Sequence, residues 1–250
     1  GYNGHMATIW RSLTGSTQWP SHKHLYIETS DDDFIELDIA ETSKSAPTLL
    51  ILHGLEGSSK RYYVSELAMD AYTQGWNVAA MNFRSCGRHL NRCPRFYHSG
   101  ETSDLDVVLQ WLQNQYSESP LFGVGFSLGG NVLLKYLGEQ QTSHPLTAAT
   151  AVSVPYDLEY SSYMLSKGFN RIYELKFVRE LKAKLDKKRR TQFPELPYVS
   201  GSRLYDFDNA VTAPLHGFED ALDYYRSCSS KHYLNDIQRP VLTINSKQDP

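Results

Sequence analysis

Apolar residues along the chain either alternate with polar residues or form short continuous runs, and both patterns predict β-strands. The segments 24–29 and 34–40 alternate on either side of the acidic turn 31–33, which is typical of an antiparallel hairpin at a sheet edge. The run 48–52 is continuously apolar, as expected of a strand that is covered on both faces. The first third of the chain therefore contains both edge and interior strands of one sheet.

Helices are predicted between the following strands. Apolar residues are spaced three and four apart at Val64, Leu67, Ala68 and Ala71, before Gly75, and again at Leu105, Val108, Leu109 and Leu112. Further strands are predicted at 77–83, 121–126, 146–154 and 240–245, and a further helix at 217–226. This alternation predicts the α/β class, with a doubly wound, mostly parallel sheet, right-handed crossovers and helices on both faces.

Between residues 156 and 213 no clear strand is predicted. The segment is rich in aromatic residues and prolines and contains one amphipathic helix, marked by Ile172, Leu175, Val178, Leu181 and Leu185. Because a long insertion between two sheet strands commonly covers an active site, we interpret it as a cap. Residues 1–250 then form a single domain, with its core at 24–155 and 214–250.

The amphipathic helix continues into a basic stretch, Lys182 to Arg190. Basic residues near a helix C-terminus are favoured by the helix dipole, so we interpret this stretch as a solvated basic face. The alternative is weak contact with a membrane surface or with an anionic ligand.

Composition and charge narrow the class of protein. The 250 residues suit one large α/β domain, and a formal net charge of −3 gives no overall attraction to nucleic acid. Cys86, Cys93 and Cys228 are odd in number and lack metal-type or redox-type spacing, which predicts free thiols in a reducing compartment. No apolar run reaches the roughly 18 residues of a membrane span, so we expect a cytoplasmic protein, or a membrane-associated one if an N-terminal anchor lies outside this sequence.

The strongest chemical signal is the segment Gly125-Phe126-Ser127-Leu128-Gly129. A predicted strand ends at Ser127 and a helical pattern begins directly after it, so the serine is expected at a sharp strand-to-helix turn. The glycines two positions before and after leave room for strand and helix to approach each other. The hydroxyl of Ser127 then points out of the sheet, as a nucleophile for acyl transfer requires.

Acyl transfer also needs donors for the oxyanion, a base, and an acid that orients the base. The predicted oxyanion donors are two backbone N–H groups, that of Leu128, next after the nucleophile, and that of Leu55, in the loop after strand 48–52. We expect His53 to brace that loop, because the base normally comes last in the chain order of serine, acid and histidine.

The predicted acid is Asp249, which directly follows the strand 240–245, where a triad acid lies on a doubly wound sheet. Asp157, after the strand 146–154, is the substitute. No histidine follows Asp249 in this sequence. The histidines that precede it outside the loop, His98, His216 and His232, are expected to be structural.

Six segments together resemble one family. They are HGLEGSS (53–59), NFRSCG (82–87), YHSGETSDL (97–105), GFSLGGNVLLKYLGE (125–139), SVPYDL (153–158) and YDFDNAVTAPLHGFEDALDYYRSCSS (205–230). Their order is similar to that in the α/β-hydrolase branch of the bacterial YheT-type hydrolases and the first three kinds of animal α/β-hydrolase-domain proteins, the AB hydrolase 4 family. NGHMATIW (3–10) also resembles the family's N-terminal segment, so we interpret Gly4-His5-Met6 as native and not as a cloning scar.

The resemblance implies a serine hydrolase of carboxylic esters, with Ser127 as nucleophile and Asp249 as acid. It implies a catalytic histidine in a Gly-Gly-His segment beyond Pro250, preceded by a strand, so the strand 240–245 should lie at an open sheet edge. The chain departs from the family pattern at Gln248, where aspartate is usual, and at Ser85, where glycine is common.

The expected substrate is a short- to medium-chain acyl ester or an acylglycerol, with no cofactor and no metal. Two alternatives stay open. They are acyl transfer to an alcohol, and a hydrolase fold that binds a hydrophobic ligand without catalysis.

Overall fold

The computed structural model describes residues 18–246 of the chain. Within this range the strands are β1 (Lys23–Glu28), β2 (Phe34–Ala40), β3 (Thr48–Leu52), β4 (Asn77–Asn82), β5 (Leu121–Phe126), β6 (Leu146–Val152) and β7 (Val241–Ile244). They form one seven-stranded sheet in the order β1-β2-β4-β3-β5-β6-β7. β2 is antiparallel to β1 and β4, and the other neighbours are parallel. All seven predicted strands are confirmed, with ends that differ by at most two residues.

The helices are α1 (Tyr62–Thr73), α2 (Thr102–Gln115), α3 (Leu128–Gln140), α4 (Leu158–Leu165), α5 (Arg171–Thr191), α6 (Leu204–Phe207), α7 (Ala213–Leu215) and α8 (Ala221–Cys228). A π-helical turn, Asp208–Thr212, joins α6 to α7. The helix predicted from residue 217 begins only at Ala221, because the Asp220 side chain accepts the Asp223 N–H and caps it. Outside the segment 156–213, where α4 and α6 were not predicted, the alternation of strands and helices is otherwise as predicted.

The two faces of the sheet are covered by different helices. On β3, Leu49 and Ile51 pack with Val64 and Ala68 of α1. Leu50 and Leu52 point to the opposite face, into the larger core that α2 and α3 cover. Because successive side chains of a strand alternate between faces, burial on both sides explains why β3 is apolar throughout.

The predicted edge hairpin is confirmed, and its acidic turn binds a buried arginine. Arg84, 2% exposed, lies two residues after β4 and donates at 2.8 Å to both Asp31 and Asp33 of the turn. It also makes two 2.7 Å hydrogen bonds to Asp104 in the first turn of α2. The β1–β2 turn is therefore fixed to the far end of β4 by charge-assisted hydrogen bonds.

Strand β7 lies at one edge of the described sheet, as expected. Its only neighbour in that range is β6. Leu242 and Ile244 are 59% and 50% exposed, so the edge is apolar as well as open.

Only three of the five apolar residues that predicted helix α5 are buried. Val178, Leu181 and Leu185 are buried, but Ile172 and Leu175 are 57% and 46% exposed. Each step of three residues rotates a side chain by roughly −60° around a helix, so residues spaced by repeated threes drift away from one face. Three such steps separate Ile172 from Leu181, which places them on opposite sides.

The basic stretch Lys182 to Arg190 is not a wholly solvated face, which corrects our interpretation. Lys184 and Lys188 fall on the buried side of α5 with Leu181 and Leu185. Lys188 is fully buried and donates to Asn91 Oδ1 at 2.6 Å. Of the remaining cations, Lys187 and Arg190 are exposed.

Two expectations from composition can be compared with residues 18–246. Cys86, Cys93 and Cys228 are all free thiols, as predicted. No helix in this part of the chain is long and apolar enough to cross a membrane.

Candidate active site

Ser127 lies at the junction between β5 and α3, in a backbone conformation that few residues adopt. Its φ is +50° and its ψ is −116°, and it directly precedes the first residue of the helix. The Ser127 N–H donates to Val152 O at 2.8 Å, and its carbonyl accepts the Asn131 N–H at 3.0 Å. These bonds to β6 and α3 hold the strained turn in place.

The flanking glycines are required by close backbone contacts. A Cβ on Gly125 would lie 2.5 Å from Gly129 O, and one on Gly129 would lie 2.6 Å from His53 O. The end of β3 therefore passes directly against the first turn of α3. The same packing brings the following loop to the serine, since a Cβ on Gly54 would lie 3.3 Å from the Ser127 Cβ.

In the loop after β3, the N–H groups on either side of Leu55 both have acceptors. The Gly54 N–H donates to Tyr63 Oη at 3.0 Å, and the Glu56 N–H donates to Tyr97 Oη at 2.8 Å. No acceptor for the intervening Leu55 N–H is found in the described part of the chain. Leu128 begins α3, and the first N–H groups of a helix have no intrahelical partner and carry its positive dipole end.

Ser127, Leu55 and Leu128 all line one cavity of about 860 Å³. Much of its wall comes from the segment 156–213, including Tyr160, Leu165, Tyr173, Phe177, Phe207 and Val211. A cavity of this size with a mostly apolar wall can hold an acyl chain or another hydrophobic group.

Asp208 in the π-helical turn fixes part of this wall. It accepts hydrogen bonds from Tyr225 Oη and Thr212 Oγ1, both at 2.7 Å. Burial raises the pKa of the Asp208 carboxyl to about 6. The conformation of the segment 205–230 thus rests on a buried polar network as well as on apolar packing.

A network that sequence reasoning missed joins α5 to the loop after β3. Lys184 Nζ donates to Glu56 Oε1 at 2.6 Å and lies 3.2 Å from Cys86 Sγ. The Tyr97 hydroxyl donates to the same Glu56 oxygen at 2.8 Å. Burial opposes the positive charge, but Cys86 and Glu56 raise the pKa of Lys184, which keeps the ammonium protonated at neutral pH. Glu56, whose φ is +51°, is thereby held in place directly after Leu55.

His53 braces its loop, as predicted. Its Nδ1–H donates to Gly54 O at 2.7 Å, and its Nε2 accepts the Phe83 N–H at 3.2 Å. Complete burial lowers the pKa of His53 to about 3, so the ring is neutral. With both nitrogens engaged, His53 has no free lone pair to act as a base.

Two of the other three candidate histidines have side-chain contacts that hold their rings. His98 lines the cavity, and its Nδ1 accepts the Gly100 N–H at 3.1 Å. His216 packs on it with 4.5 Å between ring centroids and donates from Nδ1 to Thr212 O at 2.7 Å. His232 is exposed and does not line the cavity. The contacts of His98 and His216 agree with the expectation that these two are structural, and the expectation for His232 stays a prediction.

Two clusters have ligand-type atoms within 4.8 Å of one another among residues 18–246. They are His98, Glu101 and His216, and Asp31, Asp33 and Cys93. Each already binds an arginine, since Glu101 accepts from Arg95 at 2.8 Å and the two aspartates accept from Arg84. Such a guanidinium opposes a second cation at the same carboxylate, so neither cluster favours a metal.

Of the two candidate acids, Asp157 lies within residues 18–246. Asp249 lies outside the described residues. Asp157 lines the cavity, but its Oδ1 caps α4 by accepting the Tyr160 N–H at 3.1 Å, and its Oδ2 accepts from Lys231 at 2.6 Å. Both oxygens of the substitute acid therefore already have partners.

The sheet order, the strained serine turn and the cavity define an α/β hydrolase. The family profile for the alpha/beta hydrolase fold matches residues 47–250, and the chain belongs to this family.

Among known proteins, the chain is similar to YheT of Escherichia coli (strain K12), an esterase by prediction, with 40% identity over 232 residues, 90% of this chain and 68% of YheT. It is 28% identical over 254 residues to Phospholipase ABHD3 of Mus musculus, covering 97% of this chain and 62% of that protein. These matches confirm the resemblance drawn from the motifs. The chain spans 62% to 68% of the length of these two relatives.

Among solved structures, an esterase of Pyrococcus furiosus has a similar fold. It aligns with a TM-score of 0.54 at 18% identity, covering 90% of this chain and 82% of that one. At this identity the likeness concerns the fold alone.

Proposed function

We propose that this protein is a carboxylic ester hydrolase with Ser127 as its nucleophile. The observation that carries the proposal is the strained turn of Ser127, which lies against the Gly54 loop and lines an apolar cavity of about 860 Å³. A serine in this conformation presents its hydroxyl at the carboxyl end of a parallel sheet, where a substrate carbonyl can reach it. The names of the two relatives, an esterase and a phospholipase, support the same chemistry.

In the proposed reaction, Ser127 Oγ attacks the ester carbonyl carbon and forms a tetrahedral intermediate. The N–H groups of Leu55 and Leu128 donate to its oxyanion. The serine proton passes to a histidine oriented by Asp249, both assigned through the family resemblance, and then to the departing alcohol. Water, activated by the same base, hydrolyses the acyl-enzyme and regenerates Ser127.

We also propose that the segment 156–213 is a cap that shapes the acyl pocket. Its aromatic and aliphatic side chains form much of the cavity wall. A wall of this kind recognises a hydrocarbon chain by burying its apolar area, at about 0.8 kcal/mol per CH₂ group. The proposed substrates are therefore short- to medium-chain acyl esters or acylglycerols.

The test is hydrolysis of p-nitrophenyl esters of increasing acyl length, using the protein extended to the length of its relatives. Ser127→Ala is expected to lower kcat by about four orders of magnitude or more, because the covalent step is lost. Ser227→Ala, at an exposed serine outside the cavity, is the matched control and should retain the wild-type rate. A Ser127→Ala variant as active as this control would refute the proposal.

The same assay separates the alternatives. Acyl transfer would convert an added alcohol into its ester faster than water releases the acid. A ligand-binding protein without catalysis would retain an acyl analogue but show no turnover that depends on Ser127.

A further inference from the structure

Helices α4 and α5, with the turn between them, expose five large apolar side chains. Their exposed fractions are 61% for Tyr160, 58% for Tyr163, 50% for Phe169, 57% for Ile172 and 46% for Leu175. We call these five residues the α4–α5 patch. Single exposed apolar residues are common, but five between positions 160 and 175 make this segment a candidate interaction surface.

Basic side chains surround the α4–α5 patch. Lys167 is exposed and lies 4.4 Å above the ring centroid of Tyr163. On α5, Lys176 and Arg179 are exposed beside Ile172 and Leu175. At about 100° of rotation per residue, these four side chains fall on one side of the helix.

The positive charge continues along the same side of α5. Lys187 and Arg190 are exposed on it, two to three turns beyond Arg179. Of the three acidic residues of the helix, Glu174 pairs with Arg171 at 3.2 Å, Asp186 pairs with Arg189 at 3.3 Å, and Glu180 is half-buried. The exposed side of α5 is thus basic in a protein whose formal net charge is −3.

The α4–α5 patch adjoins the candidate active site. Tyr160 belongs both to the patch and to the cavity wall, and Leu165 and Tyr173, from the same two helices, also line the cavity. Tyr160 therefore brings one end of the patch to the cavity that holds Ser127.

We propose that the α4–α5 patch docks the protein on an anionic lipid bilayer. Apolar and aromatic side chains flanked by lysine and arginine match the boundary between acyl chains and anionic headgroups. The long basic side chains can reach the headgroups while Ile172 and Leu175 enter the acyl region. A second copy of the chain is a poor occupant, because a two-fold contact would bring Lys176 and Arg179 close to their own symmetry mates.

The test is co-sedimentation of the chain with vesicles of phosphatidylcholine, with or without about one-third phosphatidylglycerol. Binding is expected to be tighter to the anionic vesicles and to weaken at high salt, as the Debye length falls to about 3 Å at 1 M. Lys176→Gln/Arg179→Gln should weaken anionic binding about 25-fold, or about fivefold for each charge removed. Ile172→Ser/Leu175→Ser should weaken it about tenfold through lost apolar burial.

Two variants serve as matched controls, with circular dichroism to confirm that every variant is folded. Lys60→Gln removes an exposed lysine away from the patch, and Leu234→Ser removes a leucine that is 38% exposed. Both should bind like the wild type. Because binding is measured without turnover, a failed ester assay leaves this result intact.

Three results would overturn the proposal. They are no vesicle binding by the folded chain, equal binding to neutral and anionic vesicles, and patch variants that bind like the controls. A dimer in solution that Ile172→Ser/Leu175→Ser dissolves, with vesicle binding unchanged, would instead assign the patch to contact between copies.

Discussion

Replacing Lys184 with methionine is expected to weaken both the fold and the proposed ester hydrolysis. The side chains of Lys184 and Glu56 are 12% and 6% exposed, and 2.6 Å separates Lys184 Nζ from Glu56 Oε1. Methionine keeps most of the side-chain volume but removes the positive charge. The Glu56 carboxylate then stays buried, with the Tyr97 hydroxyl as its remaining side-chain donor among residues 18–246.

The expected loss of stability in Lys184→Met follows from the burial of the Lys184–Glu56 ion pair. Removing one partner of a buried ion pair costs about 3–5 kcal/mol in the free energy of unfolding, which lowers Tm by about 10 °C in a chain of this size. Loss of one oxyanion donor lowers kcat by about 10²–10³. Lys184 acts on Leu55 only through Glu56, so we expect a smaller loss in kcat, about 10- to 100-fold.

The assay combines thermal unfolding with p-nitrophenyl ester kinetics for Lys184→Met, Glu56→Gln and the double variant. The double variant should lose less stability than the sum of the single losses, because it leaves no unpaired buried charge. Lys187→Met, on the exposed side of the same helix, is the matched control. The reasoning is refuted if Lys184→Met behaves like Lys187→Met in both measurements, or if the single losses add.

Two further predictions concern stability. Arg84→Met should lower the free energy of unfolding in urea by about 3–5 kcal/mol, because its carboxylate partners Asp31, Asp33 and Asp104 lose their shared cation. The control Arg88→Met, at a side chain 45% exposed, should change it by less than about 1 kcal/mol, and equal losses would contradict this account. Burial lowers the pKa of Lys188 to about 8 in the folded chain, so between about pH 8 and pH 10 the unfolded chain binds more protons and Lys188 favours folding increasingly as the pH rises. The difference in unfolding free energy between wild type and Lys188→Met should therefore shift in favour of the wild type by about 1 kcal/mol per pH unit in this window, and a difference independent of pH would show that Lys188 is not desolvated.

The elements that the sequence predicted well are those encoded by neighbouring residues. The apolar run of β3, the glycine that ends α1 and the motif around Ser127 each carry their signal within a few positions. The need for glycine at positions 125 and 129 also follows from the sharp turn, because strand and helix approach each other closely there, and the packing distances agree with this. Local patterns were therefore sufficient for the sheet and for the position of the candidate nucleophile.

The features that the sequence did not predict depend on partners far apart in the chain. Glu56 lies 128 positions from Lys184, and Asn91 lies 97 positions from Lys188. The helical spacing from Leu181 places Lys184 and Lys188 on the side of Leu185, and Lys187 on another side. That spacing does not reveal their partners, which only the packing of α5 against the loops after β3 and β4 shows.

The most direct test of the central claim is reaction with a fluorophosphonate probe, followed by mass spectrometry of the intact protein and of its peptides. For the protein extended to the length of its relatives, we predict a single adduct, located on Ser127 and absent from Ser127→Ala. An adduct on another serine, labelling that persists in Ser127→Ala, or ester hydrolysis without any adduct would contradict the assignment of Ser127 as the nucleophile.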